Sequence, residues 1–189
     1  IPFAQAGWID PPCHAGVLQD LDCRLYNNSS VTTSKDLSGG WHDAGDYNKY
    51  VNFAFETVLE LLLAYADQPT VWGDDFNLPE SGNGVPDILD EIKIELDWLL
   101  KMQNSDGSVL SIVGVTNFGT GSPPSADMNS RVYGPATTAA SYTACALFAL
   151  GAKQFNAVGQ TSFANSLQAA AINAWNWAIA NPGITFYNS

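Results

Sequence analysis

The chain has 189 residues, with 46% hydrophobic and 14% charged content, enough for one domain with a real core and too apolar for a disordered one. Nineteen acidic residues face seven basic ones, a net charge of −12. That argues against nucleic acid or anionic membrane as a partner, because phosphate contacts need clustered Lys and Arg, and it leaves neutral or cationic polymers compatible.

The chain starts at Ile1 with no Met and no signal peptide, so it reads as processed or excised. No apolar run reaches the roughly 18–20 residues of a membrane span. Residues 1–37 are rich in Pro, Gly, Asp, Asn, Ser and Thr, show no sustained period, and read as an irregular segment. Two overlapping glycosylation sequons at Asn27 and Asn28 read as chance occurrences. There are three cysteines. Cys145 lies in an apolar helical run and reads as a small buried hydrophobe. Cys13 and Cys23 have two readings: a disulfide, which fits a secreted protein, or metal ligation together with His14 and His42.

Residues 38–50 place two carboxylates, Asp43 and Asp46, three apart on glycine-rich backbone among Trp41, Tyr47 and Tyr50. Glycine backbone lets both carboxylates face one cleft, and the aromatics offer flat faces of the kind sugar rings stack on. The plainer reading is a polar turn with Asp46 capping the next helix. That helix is predicted over 49–67 from Val51, Phe55, Val58, Leu59, Leu62 and Tyr65 at helical spacing, with Pro69 stopping it. Its dipole favours an ionised carboxylate in the loop that feeds it.

Residues 72–84 form an acidic, glycine-rich loop. Asp74, Asp75, Asn77 and Glu80 are candidate calcium oxygens, although their spacing is not that of an EF-hand and a solvated turn accounts for them. A second helix is predicted from Pro86, with Asp87, Asp90 and Glu91 in its positive first turn, to a stop at Ser105-Asp106-Gly107. Ile88, Leu89, Ile92, Leu96, Leu99 and Leu100 form its core stripe. Residues 108–134 read as irregular, with a short, weakly alternating run over 109–115 that reads as a candidate extended piece and a Gly, Ser and Pro-rich surface loop over 119–127. A third helix is predicted over 135–155, apolar nearly all round and so buried on most sides. A fourth spans 162–180, with Phe163, Leu167, Ala170, Ala174, Trp175 and Ala178 on one face, and Asn181-Pro182-Gly183 stops it. The expected fold is all-α: helical hairpins over 38–189, joined by long loops, with no sheet. Long loops in a compact helical domain are usually functional.

The stretch Gly39-Gly40-Trp41-His42-Asp43-Ala44-Gly45-Asp46-Tyr47 resembles the signature near the start of glycoside hydrolase family 9 catalytic modules. Residues 77–87, 95–103 and 133–140 resemble further stretches of that family, in family order. The resemblance implies an (α/α)6 barrel, with residues 1–189 its N-terminal portion and about four of its twelve helices. It implies a secreted enzyme that hydrolyses β-1,4-glucosidic bonds of cellulose or a related glucan with inversion, most simply an endoglucanase. Asp46 matches the family's general base, and Asp43 the carboxylate that helps hold the attacking water. No residue matches the general acid, and Glu56, Glu60, Glu80, Glu91 and Glu95 are accounted for as helix faces, caps or loop. The chain alone is then inactive, and its partners are a β-glucan and the remainder of the same module. Exo-acting relatives (cellobiohydrolases, β-glucosidases, exo-glucosaminidases) are the alternative within the family, and a non-catalytic glycan-binding helical fragment is the alternative outside it.

The resemblance also bears on metal. Many relatives hold a structural zinc with two Cys and two His. Cys13 and His14 match the family's Cys-His pair and His42 the motif histidine, which is then expected to face away from the chemistry. The remaining Cys is expected near Ala6 and is absent, leaving Cys23 to replace it or to pair with Cys13.

Overall fold

The computed structural model describes residues 10–116 and 121–187. Among them are four long α-helices: α1 (Val51–Asp67), α2 (Asp87–Met102), α3 (Thr138–Ala157) and α4 (Thr161–Ala180). All four fall where the apolar spacing predicts them. Ala6, and residues 117–120 of the 119–127 loop, lie outside the described residues.

Each helix buries one stripe. Val51, Val58, Leu62 and Tyr65 face inward on α1. Ile88, Leu89, Ile92, Leu96, Leu99 and Met102 do so on α2. α3 opens on Thr137, whose hydroxyl accepts the Ala140 N–H at 3.1 Å, so the capping hydroxyl rather than Pro135 fixes its start. α3 and α4 pack as a hairpin, and α1 packs against both α2 and α3. No helix of the described residues is long and apolar enough to cross a membrane.

Two expectations about burial change. α3 is not buried on most sides, since Ala139, Tyr142, Ala146, Ala149 and Lys153 form an exposed stripe at helical spacing. Trp175 lies off the buried face of α4 and is half exposed, its ring edge-on to Tyr142 at 5.6 Å. With Ile172 and Ile179 these residues leave an apolar strip uncovered.

A small sheet was not expected. Four short strands, β1 (Arg24–Leu25), β2 (Lys49–Tyr50), β3 (Ile112–Val115) and β4 (Arg131–Tyr133), lie in the order β1-β4-β3-β2. β1 runs parallel to β4, and the other neighbours are antiparallel, with Lys49 opposite Val113 and Tyr50 opposite Ile112. Strands of two to four residues are too short to show a period of two, and β3 is buried along its whole length, which removes the alternation. Lys49 and Tyr50 belong to β2 rather than to the first turn of α1. The sheet therefore clamps the end of the 38–50 stretch to β3.

The 72–84 loop is held by one carboxylate of its own and two from the first turn of α2. Asp74 accepts the N–H groups of Gly82 and Gly84, Asp87 accepts from Phe76 N–H and Ser81 Oγ, and Asp90 accepts from Asn83 Nδ2. The carboxylates brought together are Asp74, Asp87 and Asp90, not the expected set of Asp74, Asp75, Asn77 and Glu80.

Candidate active site

Three side chains hold the backbone of residues 39–47. Lys49 Nζ donates to Gly39 O at 2.8 Å, Trp41 N–H donates to Glu95 Oε2 at 2.7 Å, and Arg131 Nη2 donates to Tyr47 O at 2.6 Å. Gly40 has φ +73°, and a Cβ there would fall 2.6 Å from the Trp98 indole, so the loop lies directly on that ring. Lys49 and Arg131 are themselves tied by one carboxylate. Asp20 accepts from Lys49 Nζ at 2.7 Å and from Arg131 Nε at 2.9 Å, and all three side chains are buried. Burial pushes the Asp20 carboxyl up, but the two cations outweigh it and hold the group below the usual carboxylate range.

Asp43 is exposed and lines a cavity of about 180 Å³ with Trp41, His42, Tyr50, Phe53, Ala54, Thr57 and Glu95. Asp46 is half-buried, and both of its oxygens are engaged. Oδ1 accepts Asn48 N–H at 3.1 Å, and Oδ2 accepts Asn48 Nδ2 at 2.9 Å and the Tyr50 hydroxyl at 3.4 Å. Burial and the carboxylates of Asp46 and Asp43 raise the Tyr50 phenol, which keeps it a proton donor. The helix-cap reading fails, because residue 50 caps α1 with no side-chain bond and Asp46 is used inside its own loop.

The aromatic expectation divides. Trp41 and Tyr50 line the cavity, and Phe53, unforeseen, joins them with its ring 4.8 Å from that of Tyr50. Tyr47 is buried against the rings of His14 and His42, at 5.8 and 5.3 Å, and offers no face to a ligand.

Glu95 is the other residue that sequence reasoning passed over. It is buried, and desolvation pushes its carboxyl up to about 7 against the pull of the Trp41 N–H and Lys49. Its position was readable. It sits in register with Ile88, Ile92 and Leu99 on the buried face of α2, where a carboxylate needs a specific partner.

Beneath the loop, donor atoms of Cys13, His14 and His42 lie within 4.8 Å of one another. Cys13 Sγ is 4.0 Å from His42 Nε2. His14 Nε2 pairs with Asp127 Oδ2 at 3.1 Å, leaving His14 Nδ1 buried with no partner among the described residues. Burial, with His14, Arg131 and Lys49 nearby, holds His42 down at about 4, so it is neutral at pH 7. His42 also contributes to the wall of the Asp43 cavity, so it does not face fully away from it. Cys23 is not in this group. It sits in the hydrophobic core, where burial pushes its thiol up to about 12, and Cys13 and Cys23 are both free rather than disulfide-bonded.

Comparison with known proteins agrees with this arrangement. The profile of Glycosyl hydrolase family 9 matches residues 8–189. Endoglucanase D of Acetivibrio thermocellus is 36% identical over 184 residues, covering 94% of this chain and 28% of that protein. The crystal structure of a metagenome-derived glycoside hydrolase family 9 endoglucanase superposes with a TM-score of 0.81 at 37% identity, covering 89% of this chain and 31% of that one. A Zn-binding triple mutant of the family 9 endoglucanase J30 superposes with a TM-score of 0.78 at 31% identity, covering 93% and 34%. The chain thus spans about a third of the length of the relatives it matches.

Proposed function

The chain belongs to glycosyl hydrolase family 9, and on that premise we propose that the full-length protein hydrolyses β-1,4-glucosidic bonds of cellulose or a related glucan, cutting within the polymer and inverting the anomeric carbon. The observation that carries this reading is the Asp46 carboxylate, which is not part of the cavity wall but is fixed by Asn48 and by Tyr50, whose ring lines the cavity with Asp43, Trp41 and Phe53. Asp46 takes a proton from water as the water oxygen attacks the anomeric carbon. Asp43 accepts the water's other hydrogen and so sets its direction. The glycosidic C–O bond breaks, and its oxygen takes a proton from a general acid roughly 6.5–9.5 Å across the bond from the base. That acid is carried by the remainder of the module, which also covers the apolar strip of Tyr142, Ile172, Trp175 and Ile179. We assign the action to the outside of the cell, because the substrate is a polymer that does not cross membranes. NMR of cellohexaose digestion by the full-length protein tests the reading, with the α-anomer expected to appear first at the new reducing end. Initial release of the β-anomer would overturn it, and binding without hydrolysis would favour a glycan-binding role.

Cys13, His14 and His42 fit a structural zinc ion. Two imidazoles and a thiol converge, the buried Nδ1 of His14 has no partner among the described residues, and Asp127 orients that ring from behind as carboxylates do for zinc-bound histidines. The ion would tie the N-terminal segment to the loop bearing Asp43. Elemental analysis is expected to find one zinc per protein, lost in Cys13→Ala. Absence of zinc together with ready modification of Cys13 by a thiol reagent in the native protein would refute the site.

A further inference from the structure

Asn48 is fully buried and spends all four of its polar groups on the loop and the sheet. Its main-chain oxygen accepts the Asp43 N–H at 2.8 Å. Its main-chain nitrogen and Nδ2 donate to the two oxygens of Asp46 at 3.1 and 2.9 Å, and Nδ2 also donates to the Tyr50 hydroxyl at 2.9 Å. Its Oδ1 accepts the Val115 N–H of β3 at 3.0 Å. That last bond fixes which way the amide faces. A main-chain N–H can only donate, so the oxygen must turn to β3 and the nitrogen to Asp46.

The contact depends on a missing side chain. A Cβ on Gly114 would lie 2.6 Å from Asn48 Oδ1 and 3.0 Å from its Cγ. Gly114 therefore opens the space in which the Asn48 amide meets the sheet. The chain of contacts runs from the β3 backbone through Asn48 to Asp46, while the Asn48 carbonyl holds Asp43 at the other end of the turn.

We propose that Asn48 is the positioning residue of the site: it fixes the Asp46 carboxylate and holds it in register with Asp43, and β3 sets its orientation through Val115 and Gly114. The inference rests on Asp46 being the general base. It assigns Asn48 no contact with substrate. Side chains locked by neighbouring hydrogen bonds keep a reacting group within a fraction of an ångström of its productive place. A displacement of the order of 1 Å costs about 10²-fold in rate.

Asn48→Ala and Gly114→Ala in the full-length protein test it, one removing the amide and the other displacing it. Each is expected to lower kcat roughly 10²-fold with KM changed less than about threefold, the pattern of an interaction that matters mainly in the transition state. Azide supplies a readout that mere loss of structure would not move. It attacks the anomeric carbon without giving up a proton, so it needs no base. Its nitrogen bonds to carbon as the glycosidic C–O bond breaks, and the leaving oxygen takes its proton from the enzyme's acid. Both variants are expected to recover turnover with azide and to release an α-glycosyl azide. If Asn48→Ala does not fold, Gly114→Ala decides. A folded variant that keeps kcat within about twofold of wild type, or a rate loss that azide leaves untouched, overturns the inference. Full activity in Asp46→Ala would instead overturn the assignment of the base, so the two failures are separable.

Discussion

Replacing Asp46 by alanine in the full-length protein is expected to lower kcat on soluble cellulose derivatives by roughly 10³-fold, the middle of the range that a positioned base contributes. KM should hold, because Asp46 is occupied by Asn48 and Tyr50 rather than by substrate in the resting site. Folding should hold too. Asp46 is half-buried, and Asn48 keeps its bonds to Val115 and Asp43 when the carboxylate is removed. Asp43→Ala is expected to be slow for a different reason, loss of the water's direction rather than of the proton acceptor. Reducing-end release, with circular dichroism to confirm the fold, measures both. Hydrolysis by Asp46→Ala within tenfold of wild type, against the roughly 10²–10⁴-fold expected of a general base, would remove Asp46 from that role.

The largest stability effect is expected at Asp20. Asp20→Ala leaves Lys49 and Arg131 buried with their shared counter-ion gone, and breaking such a buried group from one side costs about 3–5 kcal/mol. The pH dependence has a definite sign. The Asp20 carboxyl is held below its unfolded value by the two cations, so its contribution is full above that value, near pH 4, and fades as pH falls through the folded one. The difference in urea stability between wild type and variant, followed by tryptophan fluorescence, should be large at pH 7 and should shrink below about pH 4. A gap under about 1 kcal/mol at pH 7, or one that is the same at pH 3 and pH 7, would show that the three groups do not act as a unit.

How much of this was legible depended on the length of each signal. The four helices were readable because apolar residues recur over four or five turns, and Pro69 marks an end that local chemistry dictates, whereas the Thr137 cap of α3 was passed over for Pro135. The sheet was not, because Arg24–Leu25 and Lys49–Tyr50 are two-residue strands whose partners lie far away in sequence. Asp43 and Asp46 stood out for their chemistry and for the motif around them. Asn48 did not, since an asparagine in a polar turn ordinarily serves only the turn, and its partner Val115 is visible only once β3 is in place. Tyr47 was misjudged because sequence marks an aromatic without saying which side of the loop it takes. Its φ of +54° turns it inward onto the histidines. Cys23 was misjudged for lack of distance: its spacing from Cys13 allows a bond that the fold does not make.

The sheet also sets an order of events. The α3–α4 hairpin joins neighbours in sequence and can form as soon as both helices exist. By contrast, β1 at residue 24 pairs with β4 at residue 132, and β2 at residue 49 with β3 at residue 113. Contacts this distant must close long loops before they return any stabilisation, so they form slowly. During synthesis the segment bearing Asp43 and Asp46 leaves the ribosome first, and the strand that orients Asn48 and the arginine that holds Tyr47 follow more than sixty residues later. The carboxylate pair is made well before the strands that hold it and acquires its geometry only after β4 has emerged.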